Sequence, residues 1–144
     1  MPQSYIKRIL DARVYDVARE TPINEALLLS RRLENRVWLK REDLQPVFSF
    51  KLRGAYNKMR RLTPEQLAAG VVAASAGNHA QGVAMAAQKL NVKATIVMPR
   101  TTPQIKVDAV RNRGARVVLH GDSFEEASEH ARKLVDEKAM TYVH

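Results

Sequence analysis

Two short stretches carry side chains whose types and spacing could do chemistry. The first is Ser49-Phe50-Lys51-Leu52-Arg53-Gly54-Ala55, which puts a lysine on the first turn of an amphipathic helix directly after an aromatic residue. A lysine amine is a nucleophile only when deprotonated, and partial burial with a nearby cation favours that form. Phe50 and Arg53 are placed to supply both. Most helical lysines are solvated surface groups, and this stretch taken alone favours that plainer role. The second is Ser75-Ala76-Gly77-Asn78-His79-Ala80-Gln81-Gly82, which follows an apolar strand and opens a helix. Backbone N–H groups left over at a helix start, together with the helix dipole, form an anion site. Gly77 lets a ligand approach the backbone, and Ser75, Asn78 and His79 add polar side chains to a mouth that could hold a carboxylate or a phosphate. The same residues also describe an ordinary capped helix. Neither a G-x-G-x-x-G fingerprint nor a P-loop is present.

The remaining polar residues point to less. His79, His120, His130 and His144 lack metal-ligand spacing, so no metal site is expected. His130 is expected on a solvated helix face and His120 in a loop. Glu125, Glu126 and Glu129 form a helix-surface pattern. Lys40-Arg41-Glu42-Asp43 follows a strand end, where its charges could pair with each other. Ser123 has no supporting His/Asp arrangement for nucleophilic work.

These residues need elements to position them. Ser4 to Val14 reads as a helix with Ile6, Ile9 and Leu10 on one face, and residues 24–34 as a second helix carrying Leu27, Leu28 and Leu33. Arg36 to Lys40 is a short strand candidate built on Val37-Trp38-Leu39, followed by a loop over 42–49. Lys51 to Leu62 is an amphipathic helix. Thr63-Pro64-Glu65-Gln66 is a capping box opening a short one. From residue 71 strands and helices alternate: strands at 71–74, 94–98, 116–119 and 141–143, and helices over 78–90, from Thr102-Pro103 to Arg113, and from Ser123 onward. Ser123 and Glu126 form a second capping box, with Phe124, Ala127, Ala131, Leu134 and Val135 expected inward. Repeated βαβ units make an α/β fold with a parallel sheet and helices on its faces. A strand at the last residues suggests a piece of a larger protein.

The 144 residues are 45% hydrophobic and 27% charged, an ordinary globular balance. No cysteine is present, the first residues lack a secretory apolar stretch, and no apolar run reaches membrane-span length. A cytoplasmic protein without a membrane partner is the default. The net charge is +9, from 24 Lys+Arg against 15 Asp+Glu. These cations are dispersed, and aromatic residues make up only 6%, which disfavours a base-stacking platform and a nucleic-acid partner.

Taken together, the motifs are more specific than any one of them. Lys40-Arg41-Glu42-Asp43-Leu44-Gln45-Pro46 leading into Ser49-Phe50-Lys51-Leu52-Arg53-Gly54-Ala55 resembles the cofactor-lysine region of the pyridoxal-phosphate-dependent threonine and serine dehydratases. Ala74 to Ala84 resembles their substrate-carboxylate loop. Thr21-Pro22, Ile96-Val97-Met98-Pro99 and Lys106-Val107-Asp108-Ala109 extend the likeness over essentially the whole chain, in character nearest the biosynthetic threonine dehydratases of isoleucine synthesis. The resemblance implies a three-layer αβα, tryptophan-synthase-β-like fold. Residues 1–50 would form the early part of its large domain and 51–144 the small one. It implies pyridoxal 5'-phosphate carried by Lys51, with Phe50 against the cofactor and Asn78 bonded to its 3-hydroxyl oxygen. Ser75, Gly77, Asn78 and His79 would hold the substrate carboxylate. Lys51 would also remove the Cα proton as L-threonine is converted to 2-oxobutanoate and ammonia.

The family's glycine-rich phosphate loop is missing here, as are the contact to the pyridine nitrogen and the regulatory domain. An isolated chain of this length is therefore expected to be inactive, whereas the full-length parent is expected to be a dehydratase and a homo-oligomer. Serine dehydratase or serine racemase activity, and a non-catalytic folded fragment, stand as alternatives.

Overall fold

The computed structural model describes residues 5–144. Its first elements are small: α1 (Tyr5–Leu10), β1 (Ile23–Glu25), α2 (Leu27–Arg32) and β2 (Trp38–Lys40). The helix expected from Ser4 begins within the described residues at Tyr5, Ser4 itself lying outside them, and stops at Leu10. A 3-10 turn at Val14–Asp16 follows. The helix expected over 24–34 is split. Residues 23–25 pair antiparallel with β2 in the register Ile23↔Lys40, Asn24↔Leu39, Glu25↔Trp38, and only Leu27–Arg32 is helical. Strand pairing with partners 13 to 17 residues away outweighs local helix propensity here. A second 3-10 turn, Glu42–Leu44, lies in the following loop.

The rest of the chain is α3 (Lys51–Met59), α4 (Pro64–Ala69), β3 (Val71–Ala74), α5 (Asn78–Leu90), β4 (Ala94–Met98), α6 (Gln104–Arg111), β5 (Arg116–Leu119), α7 (Phe124–Lys138) and β6 (Thr141–Tyr142). The four later strands form one parallel sheet in the order β5-β4-β3-β6. Alternate side chains leave the sheet on opposite faces. Val71, Ala73, Ile96 and Met98 join Leu52, Met59, Val83 and Val107 in a core beneath α3, α5 and α6. Val72, Ala74 and Val97 pack with Ala127, Ala131 and Leu134 beneath α7. The expected three-layer αβα architecture is what forms. Leu52, Met59, Ile96 and Met98 are among the largest fully buried side chains, and each contributes about 1.5–3 kcal/mol by leaving water.

Both capping boxes form: Thr63 with Gln66 opens α4, and Ser123 with Glu126 opens α7. Pro103, of the expected Thr102-Pro103 cap, occupies the N-cap of α6, and the Thr102 hydroxyl is buried with no partner among the described residues. Two local expectations are corrected. Phe124 precedes the inward face of α7 and is 52% exposed. His130 is half-buried rather than solvated, with its ring stacked on His120 at a centroid distance of 4.1 Å. Burial first, and then the charge of His120, push the His130 imidazole below its ordinary pKa.

Candidate active site

The chain lays down β3, β4 and β5 in one direction, and α7 then crosses the opposite face to bring β6 against the free side of β3. Strand order thus reverses beside β3, and in open parallel sheets ligands bind at the carboxyl ends of the strands at such a reversal. A cavity of about 350 Å³ lies there, lined by Lys51, Ser75, His79, Phe124, Tyr142 and His144 among others. The two stretches singled out in the sequence therefore meet in one cavity, although they lie on different helices.

Gly82 explains how they come so close. It sits on the face of α5 that packs on the first turn of α3. A Cβ at this position would lie 2.9 Å from the Lys51 carbonyl carbon and 3.1 Å from the Leu52 nitrogen. Only a hydrogen side chain admits that approach. Lys51 starts α3 and is exposed, with its Nζ 5.4 Å from the centroid of the Phe50 ring. Arg53, expected as a cation beside Lys51, is turned onto Glu42. Its Nε donates at 2.8 Å to one carboxylate oxygen and its terminal nitrogen at 3.1 Å to the other.

The mouth of α5 is built from Ser75. Its N–H donates to the Val97 carbonyl at 3.1 Å, continuing the β3–β4 ladder by one bond. Its Oγ accepts from the Gly77 and Ala80 N–H groups, each at 3.2 Å. With both acceptor sites used, the hydroxyl proton is left to donate. The N–H groups of Asn78 and His79 find no acceptor among the described residues. The His79 Nε2 lies 3.0 Å from the Val143 carbonyl, so its N–H donates there and ties α5 to the end of β6. Gly77, Asn78 and Phe50 do not line the cavity. Asn78 and Phe50 are exposed beside it, and Gly77 is half-buried.

This donor set suits an anionic ligand that also carries an electrophilic carbon. A primary amine and a helix mouth with spare N–H groups share one cavity, and Gly82 holds them together. Pyridoxal 5'-phosphate and an amino acid fit at the aldehyde and carboxylate ends. Among the described residues no cluster of three or more His, Cys, Asp or Glu could hold a metal ion, and no helix is long and apolar enough to cross a membrane. A larger cleft of about 570 Å³ opens elsewhere, among Ala94, Arg116, Leu134 and Met140, and contains none of the candidate residues.

The sequence pattern placed none of Gly82, Phe124, Tyr142 and His144 at this cavity. Gly82 was legible as a glycine inside a helix, which signals close packing. Tyr142 and His144 reach the cavity through the pairing of β6 with β3, and Phe124 from the start of α7, which no local pattern reports.

The sequence profile of the family described as pyridoxal-phosphate dependent enzyme matches residues 14–144. An L-threonine dehydratase biosynthetic IlvA from Burkholderia multivorans is 59% identical over 143 residues, covering 97% of this chain and 28% of the relative. A solved structure of the processed form of threonine deaminase isoform 2 from Solanum lycopersicum superposes with a TM-score of 0.91 at 56% identity, covering 97% of this chain and 39% of that one. Maize serine racemase superposes with a TM-score of 0.87 at 31% identity, over 95% of this chain and 42% of that one. The chain spans about a quarter of the length of the curated relatives it matches.

Proposed function

The chain belongs to the family of pyridoxal-phosphate dependent enzymes, and from that premise we propose that the protein it represents dehydrates and deaminates L-threonine to 2-oxobutanoate and ammonia. One observation carries the proposal: the Lys51 amine and the open mouth of α5 face a single cavity at the reversal of strand order. Pyridoxal 5'-phosphate, when bound, supplies an electron sink for charge that develops at the substrate Cα.

The chain's own residues do the rest. Lys51 Nζ would hold the cofactor through its aldehyde, and as a free amine would take the Cα proton. The Ser75 hydroxyl and the N–H groups of Asn78 and His79, in the turn that Gly77 opens, bind the substrate carboxylate. They orient the Cα–H bond toward Lys51. Phe50 and Asn78, exposed beside the cavity, would flank the bound cofactor, Phe50 against its ring and Asn78 toward its ring oxygen. The His79 ring holds the end of β6 in place. Residues 1–50 belong on this proposal to a larger domain and 51–144 to a smaller one, in a longer, oligomeric protein.

The identity to threonine dehydratases is well above that to serine racemase, and this favours threonine. Turnover of L-threonine, L-serine and D-serine by the longer protein tests the proposal. Formation of 2-oxobutanoate from L-threonine, abolished by Lys51→Ala, is expected. Preferential turnover of either serine enantiomer would contradict the threonine assignment. The 144-residue chain alone is expected to give no steady 2-oxobutanoate, and steady production by it would overturn the expectation of inactivity.

A further inference from the structure

The polar cluster around Glu42 has no place in the chemistry above, yet it lies against the turn that carries Lys51. Glu42 is mostly buried, with 15% of its side chain exposed. It accepts both bonds of the Arg53 fork, a hydroxyl bond from Thr21 at 2.7 Å and an amide bond from Gln45 at 3.2 Å. Gln45 is in turn fixed by the Arg19 backbone, accepting from its N–H at 2.9 Å and donating to its carbonyl at 2.8 Å. Three segments far apart in sequence, 19–21, 42–45 and the first turn of α3, thus converge on one carboxylate.

The start of α3 needs such a partner. Its N-cap, Phe50, makes no side-chain cap bond, and its first turn contains no acidic residue. It begins instead with Lys51 and Arg53, two cations at the positive end of a helix dipole, an unfavourable placement. Glu42 supplies the missing negative charge from outside the helix. A bidentate carboxylate–guanidinium fork also fixes direction as well as distance. Gly82, packed on the Lys51–Leu52 backbone, leaves no room for movement toward α5. The first turn is held by both contacts.

We propose that Glu42 and Arg53 are positioning residues, a clamp that sets the direction in which Lys51 enters the cavity. This rests on the dehydratase reading only for what Lys51 does there. The clamp itself is a property of the apo chain.

The test uses the full chain and four forms: unaltered, Glu42→Gln, Glu42→Asp and Arg53→Lys. Two readouts separate the questions. Amide hydrogen exchange over residues 52–55, referenced to α5, reports the clamp without any cofactor. Borohydride-trapped labelling by pyridoxal 5'-phosphate, quantified at Lys51 against Lys89, reports where the amine points. In Glu42→Gln we expect faster exchange confined to the first turn of α3 and a fall of about tenfold in the Lys51:Lys89 labelling ratio, the scale of effect a small misplacement has on reaction. Glu42→Asp keeps the charge and is expected to recover part of the ratio. Arg53→Lys loses the fork and is expected to behave like Glu42→Gln. If Glu42→Gln fails to fold, Arg53→Lys and Glu42→Asp decide. An unchanged ratio, unchanged exchange, or a uniform change across α3 and α5 would overturn the clamp. If the unaltered chain shows no preference for Lys51, the dehydratase reading fails separately, and exchange alone judges the clamp.

Discussion

The two parts of the molecule carry similarly spaced apolar residues and treat them in opposite ways. In α5 the inward positions Ala80, Val83, Ala84 and Ala87 are buried against the sheet and against α3. In α1 and α2 the side chains of Ile6, Ile9, Leu10, Leu27, Leu28 and Leu33 keep a helical spacing and are 57–82% exposed. All three residues of β2 are exposed as well. The early part is tied down mainly through polar bonds: Gln45 to the Arg19 backbone, Glu42 to Arg53, and the Tyr56 hydroxyl donating to Asp16 at 2.8 Å. Val17, Ala18 and Val47 are its buried contribution to the core. Periodicity therefore reports a face that wants cover, and only long-range packing decides whether the face receives it.

Truncations measure this contrast most strongly. Leu52→Ala removes a fully buried side chain and is expected to cost about 2–5 kcal/mol in urea unfolding, whereas Leu28→Ala, 82% exposed, is expected to stay within about 0.5 kcal/mol. Comparable costs at the two sites would mean that α2 is covered in solution.

Acid acts next, on the polar stitching. The Arg53 fork first, and then the Thr21 hydroxyl and Gln45 amide, hold the Glu42 carboxyl down at about 2 from its ordinary 4.5, against an upward push from burial. A depressed carboxylate contributes stability that is fully present above its unfolded value and lost as pH falls through its folded one. The loss therefore falls between about pH 4.5 and about pH 2, and amounts to about 3 kcal/mol. Unfolding midpoints measured across that window should show the acid-dependent loss in the unaltered chain and a much flatter profile in Glu42→Gln.

Gly82→Ala probes the contact between the two site helices. The added methyl meets backbone rather than a flexible side chain, so α3 or α5 must shift, at a cost of about 1–3 kcal/mol. Calorimetry of the variant should show the loss, together with weaker labelling of Lys51. Smallest is Ser123→Ala, which removes the hydroxyl that accepts the Glu126 N–H at 3.2 Å. It is expected to lower stability by about 1 kcal/mol in thermal unfolding, with no effect at Lys51.

The later part was legible in the sequence because its signals are local. Apolar runs at 71–74, 94–98 and 116–119, and the capping residues Thr63 and Ser123, each specify an element within a few positions. The early part was misread where pairing between distant residues decided the outcome: Asn24 and Glu25 carry no strong strand signal and become a strand through β2. The same division holds at the site. Lys51 and Ser75 stood out by motif, whereas Tyr142 and His144 enter the cavity through sheet topology. Glu42, outside the cavity, reaches Arg53 and Thr21 through bonds spanning 11 and 21 residues. His79 stood out for its place at the mouth, yet its ring is taken up by the Val143 carbonyl.

The most direct measurement is the site of covalent capture by pyridoxal 5'-phosphate. The full chain is exposed to excess cofactor, reduced with borohydride, and mapped by peptide mass spectrometry. Lys51 is predicted to be labelled about tenfold over Lys89 and Lys106, and L-threonine is predicted to lower that excess. Label spread evenly over the lysines, indifferent to L-threonine, would contradict the assignment of Lys51 and the α5 mouth to one active site.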